Sequence, residues 1–223
     1  DCPEHDESAY AGAVANHLGT NHTSLHLTDH DAIDAVTQIS RIYDEPFADS
    51  SQIPTILLCQ LTRKYVKVSL SGDGGDELFG GYSRYFRARK WFERMNILSS
   101  ANRSILACAA GSLSAFALFL RQHLDVSSTS RIRYASPDIM KLRKIIMLLG
   151  SDGLPEFYRH YIAHWSSPSD IVLSSREQVI PAFQHSLSFR NPIEEMMYYD
   201  SLFYLPDDIL CKVDRASMAA SLE

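Results

Sequence analysis

The sequence predicts an α/β protein in which a partial parallel sheet is followed by a mostly helical region. The first ninety residues alternate between helical spacing of apolar side chains and short runs of strand-forming residues. Their order, helix, strand, helix, helix, strand, is typical of a parallel sheet with crossover helices. Beyond Tyr82 the apolar side chains follow helical spacing without a further clear strand. The predicted organisation is an α/β part over residues 1–90 and a mainly helical part over residues 91–223.

The elements at the start of the chain are placed individually. Residues 6–18 repeat apolar side chains at every fourth position and stop before Gly19, which predicts a helix with a left-handed glycine cap. Residues 23–27 alternate between apolar and polar side chains, which predicts a strand. Thr28 and Asp31 resemble a capping box for the second helix. The buried stripe of that helix is expected to comprise Ile33, Val36, Ile39, Ile42 and Tyr43.

Further elements follow along the chain. Pro54 is suited to the first turn of a third helix. Residues 65–71 are rich in strand formers and run directly into Gly72, which predicts the second strand. In the helical part, a turn rich in Ser and Arg is expected at residues 127–133.

Composition argues against several classes of protein. A chain of 223 residues with 45% hydrophobic and 22% charged residues is typical of a folded globular protein. A net charge of -6 argues against a nucleic-acid partner, and Glu93 interrupts the basic run from Arg84 to Arg94, which favours a solvated helix face. The four cysteines lie far apart without a CxxC pair, and the acidic start does not resemble a signal peptide. A cytoplasmic location is therefore expected.

Residues 104–120 carry no charge and raise the question of a membrane span. A spanning helix needs about 20 mostly apolar residues. This segment is shorter and contains Ser104, Gly111, Ser112 and Ser114. A buried or interfacial helix is therefore favoured, and no membrane partner is expected.

A glycine-rich, acidic loop follows the second predicted strand and is the most informative segment. It reads Ser71, Gly72, Asp73, Gly74, Gly75, Asp76, Glu77, Leu78, Phe79, Gly80, Gly81, Tyr82. Gly72, Gly74 and Gly75 permit positive φ and let backbone N–H groups approach a polyphosphate. The carboxyl end of a parallel strand is also where ligands of open sheets bind. The loop therefore predicts a nucleotide site.

The acids of this loop indicate a metal. Asp73, Asp76 and Glu77 would repel a phosphate unless a divalent cation lies between them, which points to Mg²⁺ shared with nucleotide phosphates; one of them could instead be a base. The loop lacks the Gly-Lys-Ser/Thr of a Walker A motif, and Glu77 stands where a dinucleotide fingerprint has its third glycine. The alternative is a tight or calcium-like acidic turn without catalysis.

Three segments in the correct order resemble glutamine-dependent asparagine synthetases. The loop at 71–82 resembles the second motif of their synthetase domain, residues 43–55 resemble the segment before it, and residues 205–223 resemble a late helix. The resemblance is strong over residues 1–90 and 195–223. It implies an adenine nucleotide alpha-hydrolase-like fold of the PP-loop ATPase type, with ATP and Mg²⁺. It also implies aspartate, or another small carboxylate, as substrate, and ammonia from glutamine supplied by an N-terminal glutaminase domain.

The same resemblance assigns roles to individual residues. Ser71 and Gly72 would contact ATP and Asp76 would ligate Mg²⁺. The composition of the loop adds Gly74 and Gly75 to the nucleotide-binding residues and Glu77 to the metal ligands. Asp73 would assist the attack of ammonia, although its reach is shorter than that of the Glu found in some relatives.

Lys212 and Arg215 lie one helical turn apart on the same predicted helix face. Both could direct a positive charge at a phosphate, and the resemblance favours this catalytic role. The alternative is a surface ion pair of Lys212 with Asp208. Which of the two cations contacts phosphate is left open.

Other polar residues are weaker candidates. Residues 49–51 could line a substrate pocket, but their place before a helix favours capping. His160 and His164 have the spacing of metal ligands on a helix, yet no third ligand accompanies them, so a structural role is favoured. The residues that serve equally well as pocket walls or packing groups are Tyr82, Arg84 and Tyr85.

The family's first loop, with the pattern Ser-Gly-Gly-x-Asp-Ser, would lie upstream of Asp1. We therefore expect the isolated chain to bind ATP poorly and to make no asparagine. Three alternatives stay open: a related amidotransferase acting on a polysaccharide or secondary-metabolite carboxylate, a tRNA-modifying adenylating enzyme of the same fold, and a non-catalytic module. The oligomeric state is also open, a homodimer included.

Overall fold

The computed structural model describes residues 8–124, 137–164 and 188–223. The chain divides into two compact units. The first unit runs to Ser71 and takes up the chain again from Asp208, and the second runs from Gly72 to Asp207. The two units meet along the chain at the glycine loop, and the helix that follows the loop packs against later helices.

The described residues are mostly helical. The helices are α1 (Ser8–Leu18), α2 (Asp29–Ile42), α3 (Gln52–Thr62), α4 (Gly75–Phe79), α5 (Ser83–Met95), α6 (Ser100–Leu124), α7 (Pro137–Gly150), α8 (Leu154–Ile162), α9 (Pro192–Leu202) and α10 (Cys211–Ala219), with a π-helical turn over Leu205–Leu210. Helices α1, α2, α3 and α10 belong to the first unit, and α4 to α9 belong to the second. The turn predicted at residues 127–133 lies outside the described residues.

Local signals placed the ends of the first helices correctly. Gly19 follows α1 with φ of 65°, which is the left-handed cap expected from the sequence. The Thr28 hydroxyl accepts a hydrogen bond from the Asp31 backbone N–H, and the Asp31 carboxylate accepts one from the Thr28 N–H, so the capping box is confirmed. Hydrogen bonds from Thr28 hold the pKa of the Asp31 carboxyl below its usual value. Helix α3 begins at Gln52, slightly ahead of Pro54.

The core of the first unit lies where α10 packs on α3 and α2. Its buried residues are Tyr43, Ile56, Cys59, Ala216 and Leu222. The stripe predicted for α2 is only partly correct, because Ile39 and Ile42 pack on this core whereas Ile33 and Val36 are exposed. The buried face of α2 is centred on Ala35, and 100° per residue carries Ile33 and Val36 away from it.

No strand is assigned within residues 8–124, 137–164 and 188–223, so the parallel sheet stays a prediction. Residues 23–27 connect α1 to α2 without strand pairing. In the second predicted strand, the Glu223 N–H donates to the Lys67 carbonyl at 2.9 Å and the Ser69 N–H donates to the Glu223 carbonyl at 2.6 Å. Glu223 is therefore hydrogen-bonded to the residues on both sides of Val68. This is the hydrogen-bond pattern of a pair of parallel strands.

In the second unit, α6 packs on α7, α7 on α8, and α5 on α8 and α9. The buried core comprises Tyr85, Ala88, Met95, Leu148, Leu154, Phe157, Tyr158, Met196 and Tyr199. The uncharged segment at 104–120 forms part of α6. Across the described ranges, every helix is too short or too polar to cross a bilayer.

A buried carboxylate, Asp200, ties α5, α8 and α9 together. Its Oδ2 accepts hydrogen bonds from the Arg84 guanidinium at 2.7 Å, the Tyr85 hydroxyl at 2.7 Å and the Tyr158 hydroxyl at 2.8 Å. The Asp200 side chain is 1% exposed. Burial and the hydrogen bonds to Asp200 raise the pKa of both phenols, so they remain protonated donors. A buried charge of this kind is tolerated only while its partners are present.

We expect Asp200→Asn to lower the free energy of unfolding by about 3 kcal/mol, because the largely buried Arg84 guanidinium then loses its counter-charge. The matched control is Glu93→Gln, which removes an exposed ion pair with Arg89 and should cost about 0–1 kcal/mol. Denaturant unfolding of both variants measures the difference. Equal losses would show that the Asp200 network contributes nothing special to this unit.

Candidate functional site

The glycine loop opens the second unit with a tight turn that leads into α4. The Gly75 N–H donates to the Gly72 carbonyl at 3.2 Å, and the Leu78 N–H donates to the Gly74 carbonyl at 3.0 Å. Gly74 has φ of 86°, a left-handed conformation that strains any residue with a side chain. Of Gly72, Gly74 and Gly75, Gly74 is therefore the residue that adopts the expected positive φ.

The far end of the loop folds back on Asp76. The Gly81 N–H donates to the Asp76 carbonyl at 3.0 Å. A Cβ atom at Gly81 would overlap the Asp76 carboxylate. Glycine at position 81 thus leaves the space that the Asp76 side chain occupies.

The loop residues differ in their exposure. Exposed residues are Ser71, Gly72, Asp73 and Asp76, whereas Gly74 and Glu77 are buried and Gly75 is half-buried. The Tyr82 hydroxyl donates to Glu77 Oε1 at 2.6 Å, and burial together with this bond raises the pKa of the Tyr82 phenol. Asp73 and Asp76 therefore present their carboxylates to solvent, while Glu77 anchors the loop to the start of α5.

The exposed acids of the glycine loop are candidate ligands for a metal ion. Within the described part of the chain, no three His, Cys, Asp or Glu side chains converge as metal ligands. His160 Nδ1 instead lies 3.2 Å from the Ser151 hydroxyl. Mg²⁺ commonly takes only one or two protein carboxylates and completes its shell with water and phosphate oxygens. The exposed pair Asp73 and Asp76 fits that requirement.

Arg84 links the loop to the Asp200 network. Its guanidinium lies between the rings of Tyr82 and Tyr204, at 4.1 and 4.3 Å from their centroids. Such stacking stabilises a cation and fixes its orientation. Tyr82, Arg84 and Tyr85 are therefore packing groups in this unit, and Arg84 also lines a cavity.

In the first unit, α10 carries Lys212 into a buried polar cluster. The Lys212 side chain is 8% exposed, and its Nζ donates to Asp49 Oδ2 at 2.8 Å and to Ser51 Oγ at 2.6 Å. Ser51 Oγ in turn donates to Asp49 Oδ2 at 2.6 Å. The Tyr43 hydroxyl donates to the Lys212 carbonyl at 3.0 Å, and burial raises the pKa of Tyr43 to about 12. The alternative of a surface ion pair for Lys212 is wrong, because its ammonium group is enclosed.

The capping role favoured for residues 49–51 is also not the one observed. Ser51 lies at the N-cap of α3, but its side chain makes no capping hydrogen bond. Its backbone N–H donates to Asp49 Oδ1 at 2.9 Å, while its hydroxyl is engaged with Lys212 and Asp49. The demand of the buried Lys212 ammonium for acceptors outweighs the capping preference.

Arg215 differs from Lys212 although both lie on α10. Its side chain is 48% exposed and pairs with the exposed Asp44 at 2.7 Å. Asp44 also lines a groove of about 490 Å³, with Val36, Ile39, Ser40, Tyr43, Glu45, Pro46, Phe47 and Ala48. Exposed ion pairs are weak and exchange readily. Arg215 is therefore the α10 cation that can move to another anion at small cost.

Two buried ion pairs, those of Asp200 and Asp49, were not predicted from the sequence. Asp200 stands in an aromatic stretch of α9, and an acid among buried positions is a usable signal for a paired charge. Asp49 and Lys212 are 163 positions apart, and no local pattern joins them.

The family model for asparagine synthase matches residues 1–223. The chain therefore belongs to the asparagine synthase family. No solved structure matches it.

Relatives with similar sequences carry consistent names. A putative glutamine-hydrolysing asparagine synthetase of Mycobacterium bovis is 28% identical over 96% of this chain and 30% of its own length. Glutamine-hydrolysing asparagine synthetase 1 of Bacillus subtilis is 26% identical over 96% of this chain and 31% of its own length. A putative asparagine synthetase of Methanocaldococcus jannaschii is 43% identical over 35% of this chain and 15% of its own length. The chain spans about a third of the length of the relatives that it matches throughout.

We expect Gly74→Ala to lower the free energy of unfolding by about 1–2 kcal/mol, because it forces a side chain into the left-handed region. Gly75→Ala is the matched control, since it lies one position further in α4 and a Cβ atom there meets nothing within 4 Å. Denaturant unfolding should find Gly75→Ala neutral or slightly stabilising. A Gly74→Ala protein as stable as Gly75→Ala would contradict the loop conformation.

A second prediction concerns Asp49. Burial alone would raise the pKa of its carboxyl, but hydrogen bonds from Lys212 and Ser51 outweigh this and hold the pKa below its usual value. A depressed carboxyl pKa contributes stability above the unfolded value of about 3.9, and that contribution is lost as pH falls through the folded value. We therefore expect Asp49→Asn to cost about 3 kcal/mol at pH 7 and much less near pH 3.

Denaturant unfolding at the two pH values checks this prediction. Asp44→Asn is the control in the same unit, because it removes only the exposed pair with Arg215 and should cost less than about 1 kcal/mol at pH 7. A loss for Asp49→Asn that is the same at both pH values would mean that its carboxylate charge is not what matters.

Proposed function

We propose that this chain is the ATP-using part of a ligase that forms asparagine. The observation that carries the proposal is the glycine loop, which presents Asp73 and Asp76 to solvent from a backbone that needs glycine at positions 74 and 81. Membership of the asparagine synthase family supports the reaction class.

The proposed reaction has two steps. An oxygen of the aspartate β-carboxylate attacks the α-phosphorus of ATP, and pyrophosphate leaves. Ammonia then attacks the acyl carbon of the adenylate, and AMP leaves with the former carboxylate oxygen. Both steps need charge stabilisation near phosphate, and the attacking nitrogen must be free of its extra proton.

Each loop residue is proposed to have a role in these steps that agrees with its exposure to solvent. The backbone of Gly72, Gly74 and Gly75, with Ser71, is proposed to contact the nucleotide phosphates. Asp76 is proposed to hold Mg²⁺, and the metal would supply charge neutralisation at the phosphates. Asp73 is proposed to take up the proton from the attacking ammonia. Glu77, which the loop's composition predicts as a metal ligand, is buried and accepts a hydrogen bond from Tyr82, and we propose that it supports the loop.

The two cations of α10 are proposed to have unequal roles. Arg215 is exposed and weakly paired, so it supplies the charge for phosphate, which its planar guanidinium can bind in a bidentate manner. Lys212 is neutralised by Asp49 and holds the start of α3 against α10. Its contribution is to fix the polar segment at 49–51.

The remaining partners follow from the names of the relatives. Several are glutamine-hydrolysing asparagine synthetases, so aspartate is proposed as the acceptor and a glutaminase domain as the source of ammonia. A cytoplasmic setting, in which ATP and glutamine are available, suits this reaction.

Pyrophosphate release by the intact protein tests the proposal, with Mg-ATP, ammonium and either aspartate or a sugar acid. We expect release to depend on aspartate. Asp73→Asn should lower kcat about 100-fold because the proton acceptor is lost. Arg215→Gln should lower kcat/KM by about tenfold or more, the loss of one charged hydrogen bond.

The controls are Asp152→Asn and Arg94→Gln, which remove exposed charges away from the loop and α10. Both should stay within about twofold of the unaltered protein. Release that requires the sugar acid would identify a related amidotransferase. Absence of release with every carboxylate, from folded protein, would reject the ligase assignment.

A further inference from the structure

The second unit contains a cavity of about 420 Å³ that the proposed reaction does not use. Its lining residues are Arg84, Lys141, Lys144, Met147, His160, Tyr161, Ile162, Ala163 and His164. The basic side chains come from α5, α7 and the end of α8. Among the described residues that line this cavity there is no carboxylate.

Two of its positive charges have no carboxylate partner in the part of the chain that the structure describes. Within residues 8–124, 137–164 and 188–223, neither Lys141 nor Lys144 forms an ion pair with a carboxylate. Lys144 is half-buried, its Nζ donates to the Ala163 carbonyl at 3.3 Å, and it lies 5.9 Å from the centroid of the Tyr161 ring. Burial lowers the pKa of Lys144, which reflects the cost of this unpaired charge. A bound anion would relieve that cost.

Arg84 contributes a rigid donor to the same cavity. Asp200 and the rings of Tyr82 and Tyr204 fix its guanidinium in place. The Arg84 side chain is one of the groups that line the cavity. A guanidinium that is already immobilised loses little entropy when it binds a ligand, which favours recognition.

The size of the cavity limits the ligand. The cavity has a volume of about 420 Å³. It lies within the range of small-molecule sites, about 300–1,000 Å³. A small metabolite therefore fits this volume.

We propose that this cavity binds a small oxyanion with more than one negative charge, carried by phosphate or carboxylate groups. Lys141 and Lys144 supply the neutralising charges, and Arg84 supplies oriented N–H donors. Both kinds of group offer the same chemistry to these residues, namely several oxygen acceptors with delocalised charge.

Calorimetric titration of the intact protein, without nucleotide or metal, tests the proposal with inorganic phosphate and with citrate as probes. We expect at least one probe to bind with one-to-one stoichiometry and to bind more weakly as salt is added, since charges are screened. Tighter binding of phosphate indicates a phosphate ester as the natural ligand. Tighter binding of citrate indicates a polycarboxylate.

Two double variants locate the site. Lys141→Gln with Lys144→Gln should weaken binding at least tenfold. Lys90→Gln with Arg94→Gln removes two exposed positive charges from α5, outside the cavity lining, and should change binding by less than twofold. The proposal fails if neither probe binds at millimolar concentration, or if both double variants weaken binding equally.

Lysine acetylation of the unaltered protein gives a second test that does not depend on the folding of a variant. The bound probe should slow acetylation of Lys141 and Lys144 at least threefold and leave Lys90 unchanged, as read by mass spectrometry. Equal rates at all three lysines with and without the probe would overturn the assignment. Either result is independent of the proposed ligase activity, because none of the tested lysines belongs to the glycine loop or to α10.

Discussion

The buried carboxylate of Asp200 is the interaction on which the second unit depends. It holds Arg84, Arg84 stacks on Tyr82, and the Tyr82 hydroxyl holds Glu77, which directly follows Asp76 in the glycine loop. A charge on α9 therefore supports the backbone that presents the exposed acids. Because a buried ion needs all of its partners, a change at any of these contacts is expected to reach the loop.

The two cations of α10 have different environments in the first unit. Lys212 is buried and neutralised by Asp49, whereas Arg215 stays exposed in a weak pair with Asp44. A buried ion pair is structural because leaving it uncovers a charge, while an exposed pair exchanges at small cost. The different roles proposed for Lys212 and Arg215 therefore depend on their different burial.

Local signals in the sequence predicted local structure well, and long-range partnerships poorly. The capping box of Thr28 and the cap at Gly19 depend on neighbouring residues, so the sequence contains all that is needed. The exposure of Ile33 depends on which face of α2 meets other helices, and the Asp49 contact to Lys212 joins distant segments. The loop at 71–82 stands out in the sequence because its glycines and acids are neighbours along the chain. Its support by Asp200 could not be read from the sequence, because it requires knowledge of how three helices pack.

Transfer of oxygen from aspartate to AMP tests the central claim most directly. The intact protein would be supplied with aspartate that carries oxygen-18 in its β-carboxylate, together with Mg-ATP and ammonium, and the products analysed by mass spectrometry. An adenylate intermediate predicts one labelled oxygen in the phosphate of AMP for each asparagine formed. Label in inorganic phosphate, with ADP as the nucleotide product, would contradict adenylation and require a different use of the glycine loop.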